Sequence, residues 1–292
     1  LAALGDHHTA DQRQSYLYRV QMRALGDPDQ RTRALIQHAR WQGQAYIHAI
    51  DEEPGQRLMQ MWEFNRLALN TILEHEGDQS PALLEPLHGM LQAQYLISDY
   101  QMQSGSGASA SQGFNDQHQR RLAGYRKDNY EQGRALLKAI YNLEQINQEP
   151  GSDASARALI MLGDWLLWHR KQEEAFTVYR QAIGELVTDG SAQLPAARLL
   201  EAPAALPALT TGDNGLNPLA SESRGDILLE FTVSAEGQVS DLSRLDDNAG
   251  ADGFANRLMR QLRRTLFRPR FDLATGEPLP TEKLTQAYDS KS

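Results

Sequence analysis

The sequence predicts an α+β chain: an N-terminal array of α-helical hairpins over 1–193, a linker over 194–215, and a small β-β-α-β domain over 216–292. Three observations predict it. Apolar residues recur three and four apart through the first two hundred positions, which is the helical period. The segment containing Leu194-Pro195, Ala202-Pro203, Leu206-Pro207 and Thr211-Gly212-Asp213-Asn214-Gly215 has neither helical nor strand period. From Gly225 the period becomes two, the alternation of a strand with one buried face. At 292 residues, 40% of them hydrophobic, the chain has the length for two folded units and the apolar content for real cores.

The first helix is expected over about 9–25, with Tyr16, Tyr18, Val20 and Leu25. Asp27 caps a second helix with Pro28 at its first position, where a missing N–H costs nothing; that helix runs through Leu35, Trp41, Tyr46 and Ile50 to the break at Asp51-Glu52-Glu53-Pro54-Gly55. A third, about 55–75, carries Leu58, Trp62, Leu67 and Ile72, and a fourth starts at Ser80-Pro81 and continues through Leu84, Leu91, Tyr95 and Ile97. The run from Ser104 to Ser111 buries too little to order cheaply and is expected as a mobile loop. A fifth and a sixth helix are expected over about 116–128 and 129–147.

Between Ser155 and Val187, Leu162, Gly163, Leu166, Ala175, Tyr179 and Ala182 fall at the spacing of one tetratricopeptide repeat, so this region resembles that family. Gly163 and Ala175 are small where two helices cross, and Leu162, Leu166 and Tyr179 fill the seam. One repeat cannot bury its own apolar face, so neighbours are expected to stack on it, with a hairpin containing Tyr125, Gly133, Leu137 and Ile140 as a degenerate second repeat.

In the C-terminal module, Ile227, Leu229, Phe231 and Val233 form one apolar row of a first strand, Ala235-Glu236-Gly237-Gln238 supplies a tight turn, and Val239 to Leu245 returns as a second strand. A helix follows with Phe254, Leu258, Leu262 and Leu266 as the stripe that covers the hairpin, and Phe267-Arg268-Pro269 stops it. A last strand is expected over about 282–288. Asn217-Pro218-Leu219-Ala220, then Arg224-Gly225-Asp226-Ile227 leading the first strand, the turn at Gly237, Phe267-Arg268-Pro269-Arg270-Phe271 and Gly276-Glu277-Pro278-Leu279 together resemble the TonB C-terminal domain family over about 75 residues. The resemblance implies that domain's fold. It also implies contact with envelope partners through an added strand, or transmission of force from an inner-membrane motor. Three departures stand against the second role: no transmembrane helix, a short linker poor in Pro and Lys, and Asn217 where the family has Tyr.

The formal charge of −9 disfavours broad attraction to nucleic acid or anionic lipid. The absence of cysteine removes disulfides, thiolate catalysis and cysteine-ligated zinc. No run reaches the roughly 20 apolar residues that cross a bilayer, and the start at Leu1 suits either a processed protein, with a signal peptide or anchor removed, or an expressed fragment. The histidines, His7-His8 included, show no ligand spacing, and no nucleophile elbow, phosphate loop or dinucleotide fingerprint appears; neither a metal nor a cofactor is expected. Trp62, Phe64, Trp165 and Trp168 suit either a core or a peptide groove. Arg257, Arg260, Arg263, Arg264, Arg268 and Arg270 cluster in a module that they bring near to neutral, with 10 Lys or Arg against 12 Asp or Glu over 216–292, while residues 1–215 carry a net −7. That cluster reads as a solvated helix face, as a docking face for the acidic helical region, or as a patch for an anionic partner.

The expectation is therefore a non-enzymatic periplasmic adaptor of a Gram-negative envelope whose helical array holds one protein partner and whose C-terminal module holds another, membrane-associated proteins being among the candidates, with no nucleic acid and no small-molecule substrate. Strand addition is expected at the last strand through Glu282, Leu284, Gln286 and Tyr288. A structural scaffold, whose C-terminal module packs on its own helices or pairs in a homodimer, is the alternative, and an enzyme is the third reading.

Overall fold

The computed structural model describes residues 7–24, 26–47, 54–104, 116–149, 152–188, 195–207 and 225–288. It is a mixed helix and strand structure, mostly helical with small sheets. The chain divides into two compact units, Leu1–Asn147 and Gln148–Ser292.

The first unit holds α1 (His7–Ala24), α2 (Pro28–Ile47), α3 (Pro54–Glu76), α4 (Leu84–Ser104) and α5 (Asp116–Ile146), with successive helices packed on one another. Asp27 starts α2 as expected: its carboxylate accepts the N–H of Asp29. Ser80 caps the 3₁₀ turn Pro81–Leu83 that leads into α4. The core is built from Leu35, Leu58, Met61, Leu91, Leu96, Leu137 and Ile140, all but fully buried. Small residues set the helix crossings, since a Cβ on Gly89 would lie 2.4 Å from Oδ1 of Asn65.

One expectation fails here: the fifth and sixth helices are a single helix, so Tyr125, Gly133, Leu137 and Ile140 cannot form a second hairpin repeat. The physical reason lies at Asn129, where the expected break falls. Its buried side chain donates to the backbone carbonyl and side-chain oxygen of Gln94 and accepts from Ser98, which pins α5 to α4 and leaves the helix no cause to end. The proposed loop at Ser104–Ser111 lies outside the described residues beyond Ser104, the last residue of α4.

A chain of polar groups fastens α1 to α2 and α3. The Asp11 carboxylate accepts from both terminal nitrogens of Arg57, at 2.9 and 2.8 Å, and from the Trp41 indole at 2.8 Å. Arg57 also donates to Oε1 of Gln42, which leaves the Gln42 amide nitrogen to face Nε2 of His38 at 3.1 Å. His38 is buried and stacked on Tyr18 at 4.2 Å. Nε2 must therefore act as an acceptor, and the ring is neutral.

The second unit begins with α6 (Ala154–Trp168) and α7 (Gln172–Thr188), a tightly packed hairpin. Part of the expected linker is ordered: Pro195–Glu201 forms α8, whose Ala196, Ala197 and Leu200 are buried against the hairpin, with the Ala196 N–H bonded to Asp153. Pro195 occupies a first helical position, the signal that the expected linker concealed. Residues 208–215 lie outside the described residues, as does the expected lead-in Asn217-Pro218-Leu219-Ala220.

The C-terminal module follows: β1 (Ala204–Ala205), β2 (Ile227–Val233), β3 (Val239–Arg244), α9 (Asp252–Arg264), β4 (Phe267–Arg268), β5 (Arg270–Phe271), β6 (Pro278–Leu279) and β7 (Leu284–Tyr288). The main sheet is antiparallel in the order β3-β2-β7; β1 pairs with β4 and β5 with β6. The apolar row of β2 is fully buried under Ala255, Leu258 and Leu262 of α9. Four such side chains contribute at most about 6–12 kcal/mol by area, before chain entropy is counted. Leu266 is buried but lies beyond the helix, because the Thr265 N–H closes the last turn on Gln261 and Leu262 and the chain then turns extended. Gly237 takes φ +78° in the turn, and a Cβ there would meet the carbonyl oxygen of Phe267 at 2.0 Å.

Burial of His38 holds its pKa down at about 4, below an unfolded value of 6.5. The unfolded chain therefore binds more protons between these values, and stability rises with pH: it is complete above about 6.5, falls as pH drops to about 4, and is flat below. The loss expected in the first unit is on the order of 1–3 kcal/mol after allowance for solvent screening. Urea midpoints measured between pH 7 and 4 should show this slope, and His38→Gln should reduce it, the remainder coming from His88 and His169, whose pKa values burial also lowers.

Candidate functional site

Two surfaces of the second unit hold most of the candidate residues. The first is the outer edge of β7. In an antiparallel strand the backbone groups of alternate residues point to opposite neighbours. On β2, the Leu228 carbonyl accepts from Leu245 and the Leu228 N–H bonds to the Asp246 carboxylate, both on the β3 side. At the other end, the Ser234 N–H bonds to Gln238 across the turn. Val233 has the opposite phase, for its carbonyl accepts from the Thr281 N–H and its N–H donates to the Thr281 hydroxyl. Residues 227, 229 and 231 therefore aim their backbone at β7, where they face Tyr288, Gln286 and Leu284. It follows that Leu284, Gln286 and Tyr288 spend their backbone groups on β2. Thr285 and Ala287 point theirs outward, and β7 has no further partner strand among the described residues.

The expected edge residues need correction on this point. Leu284, Gln286 and Tyr288 belong to the edge strand, but their N–H and C=O face inward. Glu282 lies outside the strand, because the Thr281 hydroxyl takes the place of a ladder bond at Val233. Sequence reading missed Thr285 and Ala287. The signal was available, since the turn at Gly237 sets the phase of β2 and so that of β7. Tyr288 packs into the core, where its hydroxyl has no hydrogen-bond partner among the described residues and burial pushes its pKa up. On the outer sheet face the Lys283 ammonium bonds to Glu230 at 2.6 Å, which holds the lysine charge up.

The second surface is α9. Arg257, Arg260, Arg263 and Arg264 are exposed on it. Arg268 is a correction: it is buried, and its guanidinium donates to Oδ2 of Asp164 at 2.7 Å, so it cannot meet an external anion. Arg270 is half-buried and donates to the Pro280 carbonyl. The Arg244 guanidinium, pulled on by Asp246 and Asp252, holds the Asp246 carboxyl well below the usual range and anchors the start of α9.

The residues read as a repeat signature come together. Leu162, Leu166, Ala175, Tyr179 and Ala182 are buried in the α6–α7 seam, and a Cβ on Gly163 would lie 2.4 Å from the Tyr179 ring. Their largest consequence is at Asp164, which accepts from the Tyr179 hydroxyl at 2.7 Å as well as from Arg268. Burial raises the Asp164 pKa against the pull of Arg268 and Tyr179. Phe271 stacks beside Tyr179 at 5.0 Å. The hairpin and the C-terminal module are thus one packed body. Among the described residues no three His, Asp or Glu side chains gather as a metal would require, and no helix is long and apolar enough to cross a membrane.

Removing one member of the Asp164–Arg268 pair strands a buried charge. Asp164→Ala should therefore cost about 3–5 kcal/mol in urea unfolding followed by Trp165 and Trp168 fluorescence. Asp164→Leu combined with Arg268→Met should cost far less than the two single changes together, with a coupling on the order of 2 kcal/mol. Additive losses would contradict a buried, mutually compensating pair. In comparisons with family models, curated proteins and solved structures, nothing matches this chain.

Proposed function

We propose that this protein is a non-enzymatic adaptor of the cell envelope, placed in the periplasm, that captures an extended segment of a partner protein as a fourth strand beside β7. The observation that carries the reading is the free outward backbone of Thr285 and Ala287 on a short edge strand, backed by a buried sheet. A segment paired there gains main-chain hydrogen bonds for affinity, while alternate side chains beside Leu284 and Gln286 supply selection. The shortness of β7, with Lys283 at its start, also fits an edge protected against indiscriminate self-pairing. Support for the location is the sequence resemblance to the TonB C-terminal family. The α6–α7 pair, read as one tetratricopeptide-like repeat, serves here as the support for the module.

A specific observation also favours the scaffold reading. The Asp164–Arg268 pair locks the module onto the hairpin, which is internal packing of the kind a permanent structural element uses. The two readings part at the β7 edge, which a scaffold leaves unused or pairs with a second copy.

The test replaces Ala287 by Pro, which removes an outward N–H and no bond to β2, and compares it with Gln286→Pro, which breaks the β2 ladder. Peptides selected from an envelope-protein fragment library should lose binding to Ala287→Pro by about tenfold or more, equivalent to roughly 1.4 kcal/mol. Gln286→Pro should instead lower the unfolding temperature. In the free chain the Thr285 and Ala287 amides should exchange rapidly with solvent and become protected by bound peptide. Binding that ignores Ala287→Pro and leaves those amides unprotected would overturn strand addition, and a concentration-dependent dimer lost in the same variant would favour the scaffold.

A further inference from the structure

We infer that the outward face of α9 is a docking surface for an acidic α-helix of a partner protein. The inference does not rest on the β7 edge. At 3.6 residues per turn, Arg257, Arg260 and Arg264 stand i, i+3 and i+7 along α9, a straight row about 10 Å long, and Arg263 flanks it within the same third of the helix circumference. The opposite side, Ala255, Leu258 and Leu262, is buried against β2. The row is therefore rigidly held and points outward.

Its charges are concentrated: four arginines stand within residues 257–264 of α9 and, like Arg13, Arg31, Arg33 and Arg198 elsewhere, they lie against no carboxylate among the described residues. Arg40, Arg66, Arg157, Arg180, Arg244 and Arg268 each lie against a carboxylate. Among the described residues none of the four α9 arginines has such a partner, although the chain has 38 acidic residues against 29 basic ones and a net charge of −9. The Arg257 guanidinium lies over the Phe254 ring, 6.0 Å from its centre.

Four guanidinium groups with no carboxylate partner among the described residues complement an array of anions, and the fixed spacing selects among anionic partners. A bilayer surface is disfavoured because α9 offers no exposed large apolar side chain to insert, its apolar side being used in the core. Nucleic acid is disfavoured by the overall negative charge and by the absence of an exposed aromatic platform among the described residues of α9. A helix carrying Glu at i, i+3 and i+7 presents carboxylates at the same rise, and the guanidinium fork can bind a carboxylate with two hydrogen bonds.

The experiment measures anisotropy of a labelled, stapled helical peptide of about five turns with Glu at i, i+3 and i+7, added to the full chain. A peptide of the same composition with its Glu spread around the helix serves as the comparison. The aligned peptide should bind about tenfold tighter or more, weaken as salt rises, and lose binding to the charge-reversed variant Arg257→Glu/Arg260→Glu/Arg264→Glu, whose fold is checked by circular dichroism. If the triple variant does not fold, Arg260→Glu alone should still weaken binding about threefold or more. Equal binding of the two peptides, no binding, or binding untouched by these changes would overturn the inference. So would tighter binding to phosphatidylcholine–phosphatidylglycerol vesicles (about 3:1) or to a DNA duplex of about 20 base pairs than to the aligned peptide.

Discussion

Everything in the C-terminal module depends on β2 serving three neighbours at once. Its odd-numbered residues send their side chains into the core and their backbone to β7, and its even-numbered residues send their backbone to β3. A one-residue slip would turn Ile227, Leu229, Phe231 and Val233 toward solvent and exchange every inward and outward group on β7. The tight turn sets that phase. Gly237 alone can accept its left-handed backbone and the approach of the Phe267 carbonyl, while the extra residue in β3, with Asp241 at φ +50°, absorbs the twist without disturbing β2.

The second constraint is the charge pair buried under that module. A lone carboxylate at Asp164 or a lone guanidinium at Arg268 would be costly away from water, so each is tolerable only with the other present. The Tyr179 hydroxyl adds a hydrogen bond to the carboxylate, and the Tyr179 ring packs beside Phe176 and Phe271, which meet each other in a perpendicular contact. This is why the chain divides into units after Asn147, whereas the composition change near Leu194 suggested a linker. Packing, and not composition, draws the boundary.

Much of the architecture was legible because it rests on local periodicity. The Asp27-Pro28 start of α2, the hairpin seam at Gly163 and Tyr179, the alternating row of β2 and the stripe of α9 each follow from spacing that elementary geometry demands. What escaped notice depends on partners distant in sequence. Asn129 holds α5 continuous through bonds to α4 that no local pattern announces. Arg268 looks like one more surface arginine until Asp164, far back in the chain, claims it. Ala196, Ala197 and Leu200 read as a Pro-flanked linker until the hairpin supplies a surface to bury them. The candidate site is half legible: the last strand is expected as the edge, but Glu282, Leu284, Gln286 and Tyr288 share one side-chain parity, whereas strand addition depends on backbone parity.

The account stands or falls on that backbone parity. Scalar couplings across hydrogen bonds, measured by NMR on the isotopically labelled free chain, report each N–H···O=C pair directly. The amides of Leu284, Gln286 and Tyr288 should couple to carbonyls of β2, and those of Thr285 and Ala287 should show no coupling. Couplings from Thr285 or Ala287 to β2, with Gln286 uncoupled, would place the free edge on the wrong residues and contradict the account.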